Sequence, residues 1–222
     1  MVTPESVGRS EPDYRFDFCG GHLAIDFTNT VGSRGSDPEE HFNTYGDVLA
    51  WAEARRVLSR ADASKLKRRA SADPDAARRA WRRAVDLREA LYAVLSRAAG
   101  GGAVDQASLA RLNRYVSETF GTAQLSAAGG RLTLATPSDE GLDAMLAQIV
   151  RAAVDLLTSD AMSRVGRCAD DTCAWLFLDT TRSGTRRWCD MKSCGNRSKV
   201  RRFRVTGRAA AGLRGPLRSG RR

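Results

Sequence analysis

The sequence lacks a hydrophobic run long enough to cross a bilayer. No apolar stretch approaches the roughly 18 residues that a membrane-spanning helix requires, which argues against a membrane protein. The first residues also lack a basic segment followed by an apolar one, and they carry Glu5, Glu11 and Asp13 instead. We therefore predict no signal peptide and no membrane partner, and we expect a cytoplasmic protein.

Histidine is nearly absent, and this bears on catalysis. The chain has only His22 and His41, and neither lies in a recognisable nucleophile or metal-binding motif. Both are more typical of surface or packing histidines. A site made of paired carboxylates stays open from the sequence, but no pattern favours one, so we predict that the protein is not an enzyme.

Acidic residues are almost missing from the C-terminal end. Residues 182–222 contain 14 Lys or Arg and a single acid, Asp190, a net charge of +13, whereas the whole chain carries +10. Residues 1–181 are therefore mildly acidic, at −3. A segment with this many basic residues and a single acid favours binding to a polyanionic partner over an ordinary solvated surface. The alternative is that the segment pairs with the acidic body of the same chain.

Cysteine is also scarce, and four of the five cysteines lie between residues 168 and 194, just before and within this basic end. They form two pairs with equal spacing, Cys168-x4-Cys173 and Cys189-x4-Cys194. In a reducing compartment this pattern indicates one zinc ion per chain, with two disulfides or unligated cysteines as the alternative. Four thiolates leave no position for water or substrate, so the zinc is expected to be structural. Cys19 stands alone, and we expect it to be a packing residue.

The hydrophobic periodicity predicts a mainly α fold with small β elements. We expect a helical N-terminal domain (1–164) that opens with a β-hairpin, a small C-terminal zinc-bound finger built of a β-hairpin and a helix (165–206), and a disordered basic tail (207–222). The N-terminal hairpin is predicted from the alternating apolar residues between Phe16 and Phe27. Further helices are predicted over 44–58, 62–69, 74–99, 105–120 and 138–164, with short strands over 124–127 and 131–135.

The finger is expected to expose cations along a hairpin and a helix. Its first strand is predicted at 175–178, with 186–188 returning the chain to the second cysteine pair. Ser198 is a suitable N-cap for a helix in which Val200 and Phe203 pack inward. Phosphate contacts are then predicted for the side chains that face solvent: Arg182, Arg186, Arg187, Lys192, Lys199, Arg201, Arg202 and Arg204.

Two motifs resemble known families. Cys194-Gly195-Asn196-Arg197 is similar to the motif of the CGNR zinc finger, whose first cysteine pair resembles residues 168–173. Residues 20–30 resemble the start of the helical ABATE domain, which precedes that finger and is described as a stress-induced transcription regulator. The resemblance implies zinc ligation by the four cysteines and a nucleic-acid role for Arg197 and its neighbour Asn196. For this family, both DNA binding and RNA binding have been proposed.

Polar residues in the ABATE-like motif suggest a second site. Asp26, Asn29 and Thr30 follow an apolar segment, where they would line a pocket for a small-molecule effector or instead bond to nearby backbone and close a turn. The first alternative gives a ligand-sensing body.

The charge and cysteine patterns together predict a zinc-containing nucleic-acid-binding protein. The leading hypothesis is a DNA-binding transcription regulator whose body senses a ligand or forms a homodimer. The alternatives are an RNA-binding protein, in which Trp175 and Trp188 stack on unpaired bases, and a protein-interaction module with an acidic partner.

Overall fold

The fold consists of a helical body followed by a cysteine-bearing module that begins at residue 165. The structure is a computed structural model and describes residues 16–135, 141–201, 203 and 204. The α-helices are α1 (Leu23–Thr28), α2 (Tyr45–Ala54), α3 (Arg60–Ala72), α4 (Pro74–Ala99), α5 (Gln106–Gly121) and α6 (Leu146–Leu157), and a 3-10 helix spans Asp160–Arg164. The strands are β1 (Val31–Gly32), β2 (Glu39–Glu40), β3 (Gln124–Ala128), β4 (Arg131–Ala135), β5 (Val165–Arg167) and β6 (Leu176–Leu178). The predicted fold class is confirmed.

The strands form three separate antiparallel pairs, β1 with β2, β3 with β4, and β5 with β6. Each pair joins strands that are consecutive in the chain. The helices therefore supply the main packing, and the β elements serve as local connections.

Side-chain caps explain why several predicted helices begin where they do. The Thr44 hydroxyl accepts a hydrogen bond from the Asp47 backbone amide, and the Asp47 carboxylate accepts one in return from the Thr44 amide, so α2 starts with a capping box. Asp73 caps α4, whose first residue is Pro74, and Asp105 caps α5. These residues satisfy backbone amides that have no partner within the helix.

The predicted N-terminal β-hairpin is wrong. Its second strand is instead helix α1, which His22 caps by accepting a hydrogen bond from the Ala24 amide at 3.3 Å. Residues 24–28 are all buried, so this short helix has no polar face and its sequence does not show helical periodicity. The last predicted helix, 138–164, is also shorter than expected, since α6 spans only Leu146–Leu157. Residues 138–140 lie outside the described residues.

Helix α1 lies at the centre of the molecule and contacts α4, α6 and β6. On one side Phe27 packs against Trp51, with ring centroids 5.1 Å apart. On the other side Ile25 joins Leu176 of β6 in a second apolar cluster. The same short helix thus belongs to the core of the body and to the core beneath the cysteine module.

Buried hydrogen bonds fasten the cysteine module to the body. The Asn29 side chain donates to the Leu176 carbonyl at 2.9 Å and accepts from the Leu176 amide at 3.1 Å, as a neighbouring strand would. The indole of Trp175 donates to the Val31 carbonyl at 2.6 Å, and the Tyr92 hydroxyl donates to the Ala174 carbonyl at 2.8 Å. Body and module therefore form one packed unit.

The loop between β1 and β2 also touches the module. The Gly35 amide donates to the Thr172 carbonyl at 3.1 Å, and a Cβ on Gly35 would lie 1.8 Å from the Asp171 carbonyl oxygen. Only glycine permits this approach of two backbones.

Candidate metal centre and basic surface

The four paired cysteines converge at one point. Cys168, Cys173, Cys189 and Cys194 are buried, and their sulfur atoms all lie within 4.8 Å of one another. The Cys173–Cys189 and Cys189–Cys194 sulfur distances are both 3.6 Å. A tetrahedral zinc site with bonds of about 2.3 Å has sulfur–sulfur edges of about 3.8 Å. All four thiols are free of disulfides, so this donor set fits one zinc ion with no open position.

The first cysteine pair lies at the tip of a hairpin. Strand β5 precedes Cys168 and strand β6 follows Cys173, with Val165 opposite Leu178 in the register. The strand predicted at 175–178 is β6, and it is the second strand of the hairpin and not the first, because it pairs with β5. The segment at 186–188 is irregular, and the Arg187 carbonyl accepts a hydrogen bond from the Ala169 amide in the first pair.

The second cysteine pair is carried by a helical turn. Asp190 caps this turn by accepting a hydrogen bond from the Ser193 amide, and a π-helical segment, Met191–Gly195, places Cys194 toward the other thiols. Residues 196–201, 203 and 204 continue as an α-helix, which we call the C-terminal helix.

Cys19 packs against this cluster although it lies far away in sequence. The expectation that it serves packing agrees with this position. Its place beside the metal site could not be read from the sequence, because the contact depends on the turn before α1.

Arg197 connects the two cysteine pairs. Its guanidinium donates to the Asp170 carboxylate at 3.1 Å and to the Cys194 sulfur at 2.9 Å. Asp170 is buried and also accepts from the Thr172 hydroxyl at 2.9 Å. Arg197 therefore neutralises charge at the metal centre as well as presenting a partly exposed face.

Arg186 is held within the fold rather than presented to solvent. Its guanidinium donates to the carbonyls of Leu178, Trp188, Cys19 and Cys189, and it lies 4.6 Å from the centre of the Phe177 ring. Because backbone carbonyls hold its guanidinium, Arg186 lies within the fold and is not one of the exposed cations described next.

Most other predicted phosphate contacts are exposed. We call the following set the finger basic surface: Arg182, Arg187, Lys192, Lys199, Arg201 and Arg204. Arg201 lies 4.0 Å from Asp170, a loose ion pair. Asn196 is exposed but donates to the Lys192 carbonyl at 2.9 Å. Arg202 and the residues from 205 to 222, including the predicted tail, lie outside the described residues.

The apolar residues of the C-terminal helix do not pack inward as predicted. Val200 is 50% exposed and Phe203 is 78% exposed. The reason is that the metal centre and Trp175 already fill the core of the module, so little apolar surface remains for this helix to cover.

Asp26, Asn29 and Thr30 are structural in this fold. All three are buried, and each forms hydrogen bonds within the chain. Asp26 accepts from the Gly20 amide and from Arg55, and the Thr30 hydroxyl donates to the Phe27 carbonyl. Their polar atoms face protein groups, which agrees with the turn-closing alternative and not with a pocket lining.

Asp26 provides a pH-dependent contribution to stability. Burial raises its pKa to about 6, against an opposing effect of Arg55. A raised pKa means that the folded state prefers the protonated form, so this contribution is present below about pH 4 and is lost as the pH rises through about 6. As the pH rises from about 4 to about 7, the wild type is therefore expected to lose up to about 3 kcal/mol of unfolding free energy that Asp26→Asn does not lose. Denaturant unfolding across that range measures the difference, and a constant difference would contradict the prediction.

The two histidines have structural surroundings. Burial lowers the pKa of His22, which caps α1, and Arg55 lowers it further. Burial also lowers the pKa of His41, whose backbone amide donates to the Thr30 carbonyl. Both positions agree with the expectation of packing histidines.

Comparison with protein families gives two matches in the order that the geometry shows. Residues 21–160 match the ABATE family, described as "Putative stress-induced transcription regulator". The chain belongs to the ABATE family. Residues 164–205 match the CGNR zinc finger, which contains the four converging cysteines. This ABATE protein therefore binds one structural zinc ion through Cys168, Cys173, Cys189 and Cys194.

The matches confirm the predicted family and the order of its parts. Both families are described as a regulator or a finger, not as enzymes. No curated protein matched the chain. Among the described residues, no helix has the length and apolar character needed to span a membrane.

Proposed function

We propose that this ABATE protein is a transcription regulator that contacts duplex DNA through the finger basic surface. The observation that carries the proposal is a group of exposed cations on a scaffold fixed by zinc. Of the four acids of the module, Asp170 and Asp179 are buried in hydrogen bonds, Asp190 is half-buried and Asp171 is exposed, so the exposed cations outnumber the exposed acids. The net positive surface is suited to the phosphate backbone.

The C-terminal helix gives these cations a defined arrangement. It starts directly after the metal ligand Cys194, so zinc fixes its first turn. Lys199 and Arg201 then project from a rigid element, and such contacts orient a protein on a duplex without reading its sequence. The target sequence therefore depends on features other than these phosphate contacts.

RNA binding is the second candidate, and one observation favours it. Phe203 is largely exposed on the same helix as Lys199 and Arg201, and exposed aromatic rings beside cations suit stacking on unpaired bases. The tryptophans expected to stack are less suited, because Trp175 is buried and bonded to Val31, and Trp188 is half-buried beneath Arg187.

The test compares binding of the zinc-loaded protein to duplex DNA and to structured RNA over a salt series. The variant Lys192→Gln with Lys199→Gln removes two exposed cations of the finger, and Arg97→Gln with Arg131→Gln removes two from the body as a matched control. The finger variant is expected to lose about tenfold in DNA affinity at about 0.1 M salt, with a salt slope reduced by about 2. Equal binding by both variants, or a preference of the wild type for RNA, would contradict DNA binding through the finger.

The role of the body stays a proposal. Asp26, Asn29 and Thr30 are buried and bonded within the chain, so these residues do not support a ligand-sensing role. For dimerisation, the β3–β4 hairpin exposes Leu125, Leu132 and Leu134 on one face, because Leu125 pairs with Leu134 and Leu132 lies two residues away. The four thiolates require reducing conditions, which supports the proposed cytoplasmic location.

A further inference from the structure

A second cluster of cations lies on the body, on helices α3 and α4. Residues 55–83 contain eleven Lys or Arg and three Asp, a net charge of +8. We call the following exposed residues the α3–α4 basic surface: Arg60, Lys65, Lys67, Arg68, Arg79 and Arg82. This charge contrasts with the net −3 of the whole segment 1–181.

The exposed cations of this surface differ from several arginines of the body that are held in ion pairs. Arg34 pairs with Glu89, Arg55 with Asp26, and Arg88 with Glu40 and Glu89. Within the described part of the chain, none of the six residues of the α3–α4 basic surface forms an ion pair. Crowding like charges on neighbouring helices costs stability unless a counter-charge is supplied. The protein thus retains an unfavourable charge cluster at one place.

The amphipathic character of the two helices keeps these cations in solvent. Helix α3 buries Ala63 and Leu66, and α4 buries Ala80 and Ala84. The cations Arg68, Arg79 and Arg82 lie at helical positions away from these buried residues and are exposed. They are therefore available to a partner without any unfolding.

The two basic surfaces are rigidly connected. Helix α4 carries Arg79 near its start and Tyr92 further along, and Tyr92 bonds directly to the module at Ala174. Thirteen residues of helix correspond to about 20 Å, or about six base pairs of duplex. Since body and module are packed as one unit, the separation of the two surfaces is fixed, and a duplex much longer than 20 Å has the length needed to contact both without a domain movement.

We infer that the α3–α4 basic surface is a second contact for the phosphate backbone of the same duplex that the finger binds. The inference rests on the proposed function and adds a partner-binding area on the body. Four of the six cations are arginines, whose guanidinium groups bind phosphate oxygens through two donors, so the surface is suited to a phosphate backbone. The ABATE body then contributes affinity directly and does more than carry the finger.

The test uses the full-length, zinc-loaded protein and a duplex of about 24 base pairs, which is roughly 80 Å long. Arg68→Gln with Arg79→Gln removes two cations of the α3–α4 basic surface, and glutamine keeps a similar helix propensity. Arg97→Gln with Arg131→Gln again serves as the control of equal charge. The α3–α4 variant is expected to bind several-fold to tenfold more weakly at about 0.1 M salt, with a salt slope lower by about 2, whereas the control changes little.

A comparison of duplex lengths separates the two surfaces. On a hairpin-closed duplex of about four base pairs, which is about 14 Å long and so shorter than the roughly 20 Å along α4, the α3–α4 variant is expected to bind like the wild type. Unchanged circular dichroism and zinc content establish that both variants are folded.

Three results would overturn the inference, and the first two leave the proposed function intact. If the wild type binds the long duplex and the α3–α4 variant binds equally well, the finger alone makes the contact and the proposed function stands. If the α3–α4 variant loses binding to phosphatidylserine vesicles but not to duplex, the partner of this surface is a membrane. If the wild type binds no duplex at all, the proposed function and the inference fail together.

Discussion

Replacing Cys173 by serine is expected to lower zinc affinity by a hundredfold or more and to destabilise the whole protein. Structural zinc contributes about 10–16 kcal/mol in zinc-finger peptides, so losing one of four ligands removes about 3 kcal/mol or more. Zinc content after dialysis against a competing chelator measures the first effect. Far-UV circular dichroism during thermal unfolding measures the second.

The effect should reach the body because module and body share a second apolar cluster. Leu176 is fully buried beside Ile25 and Leu95 of the body, so a module that loses its zinc uncovers apolar surface on α1 and α4. We therefore expect helical signal to be lost at lower temperature in Cys173→Ser. A body transition unchanged from the wild type would show that body and module fold independently, contrary to the packing described.

Cys19→Ser is the matched control for this experiment. Cys19 contacts the cluster but is not one of the four converging thiols. The same chemical change at this position should leave one zinc per chain. Zinc loss in Cys19→Ser equal to that in Cys173→Ser would contradict the assignment of the four ligands.

The second large effect is expected for Asn29→Ala, at about 4 kcal/mol of unfolding free energy. The substitution leaves both the Leu176 amide and the Leu176 carbonyl buried without a partner, and each unsatisfied group costs about 1–3 kcal/mol. Denaturant unfolding measures the total. Hydrogen exchange at the Leu176 amide reports the local effect, which should be much faster exchange.

Two further variants define what Asn29 does. Asn29→Asp keeps an acceptor for the Leu176 amide but loses the donor to its carbonyl, so an intermediate loss is expected. Asn43→Ala removes an exposed asparagine with a single 3.2 Å hydrogen bond to the Glu40 carbonyl, and it should cost less than about 1 kcal/mol. If Asn29→Ala cost as little stability as Asn43→Ala, the two hydrogen bonds between Asn29 and Leu176 would not be what holds the module in place.

The hydrogen bonds between body and module restrict how a regulator of this architecture would respond to a signal. A ligand or partner that binds the body changes the position of the finger only if it favours a different packing of body against finger. The present packing depends on contacts of α1. Asn29 and Trp175 hold the module through buried hydrogen bonds, and Tyr92 holds it through a half-buried one. Any such response must therefore break or remodel these contacts, so a freely hinged finger does not describe this protein.

Several features of this chain were predictable because they depend on local chemistry. Helix α4 begins at Pro74 and ends at Ala99 as predicted, since its cap, its apolar stripe and the glycines that follow are all close in sequence. The four zinc ligands were predictable because equal spacing within each pair reflects the geometry of a tetrahedral thiolate site. The α3–α4 basic surface also had a sequence signal, the charge balance of residues 55–83, which a count over the whole body conceals.

Other features depend on contacts between distant parts of the chain, and only the tertiary structure decided them. Arg186 was predicted to be exposed but is held within the fold, and Phe203 was predicted to be buried but is exposed. Arg186 looks like a surface cation in sequence, but carbonyls from three segments surround it, and Phe203 looks like a core residue, but the module has no room for it.

The helical body, the zinc ligands and the basic character of the C-terminal end follow from local patterns in the sequence. The tertiary structure decided that residues 23–28 form a buried helix, that β6 pairs with β5, and that Asn29 joins body and module. The physical reason is the range of the interactions. Caps, periodicity and ligand spacing act over a few residues, whereas the Asn29 bonds to Leu176 span 147 positions and form only after the chain has folded.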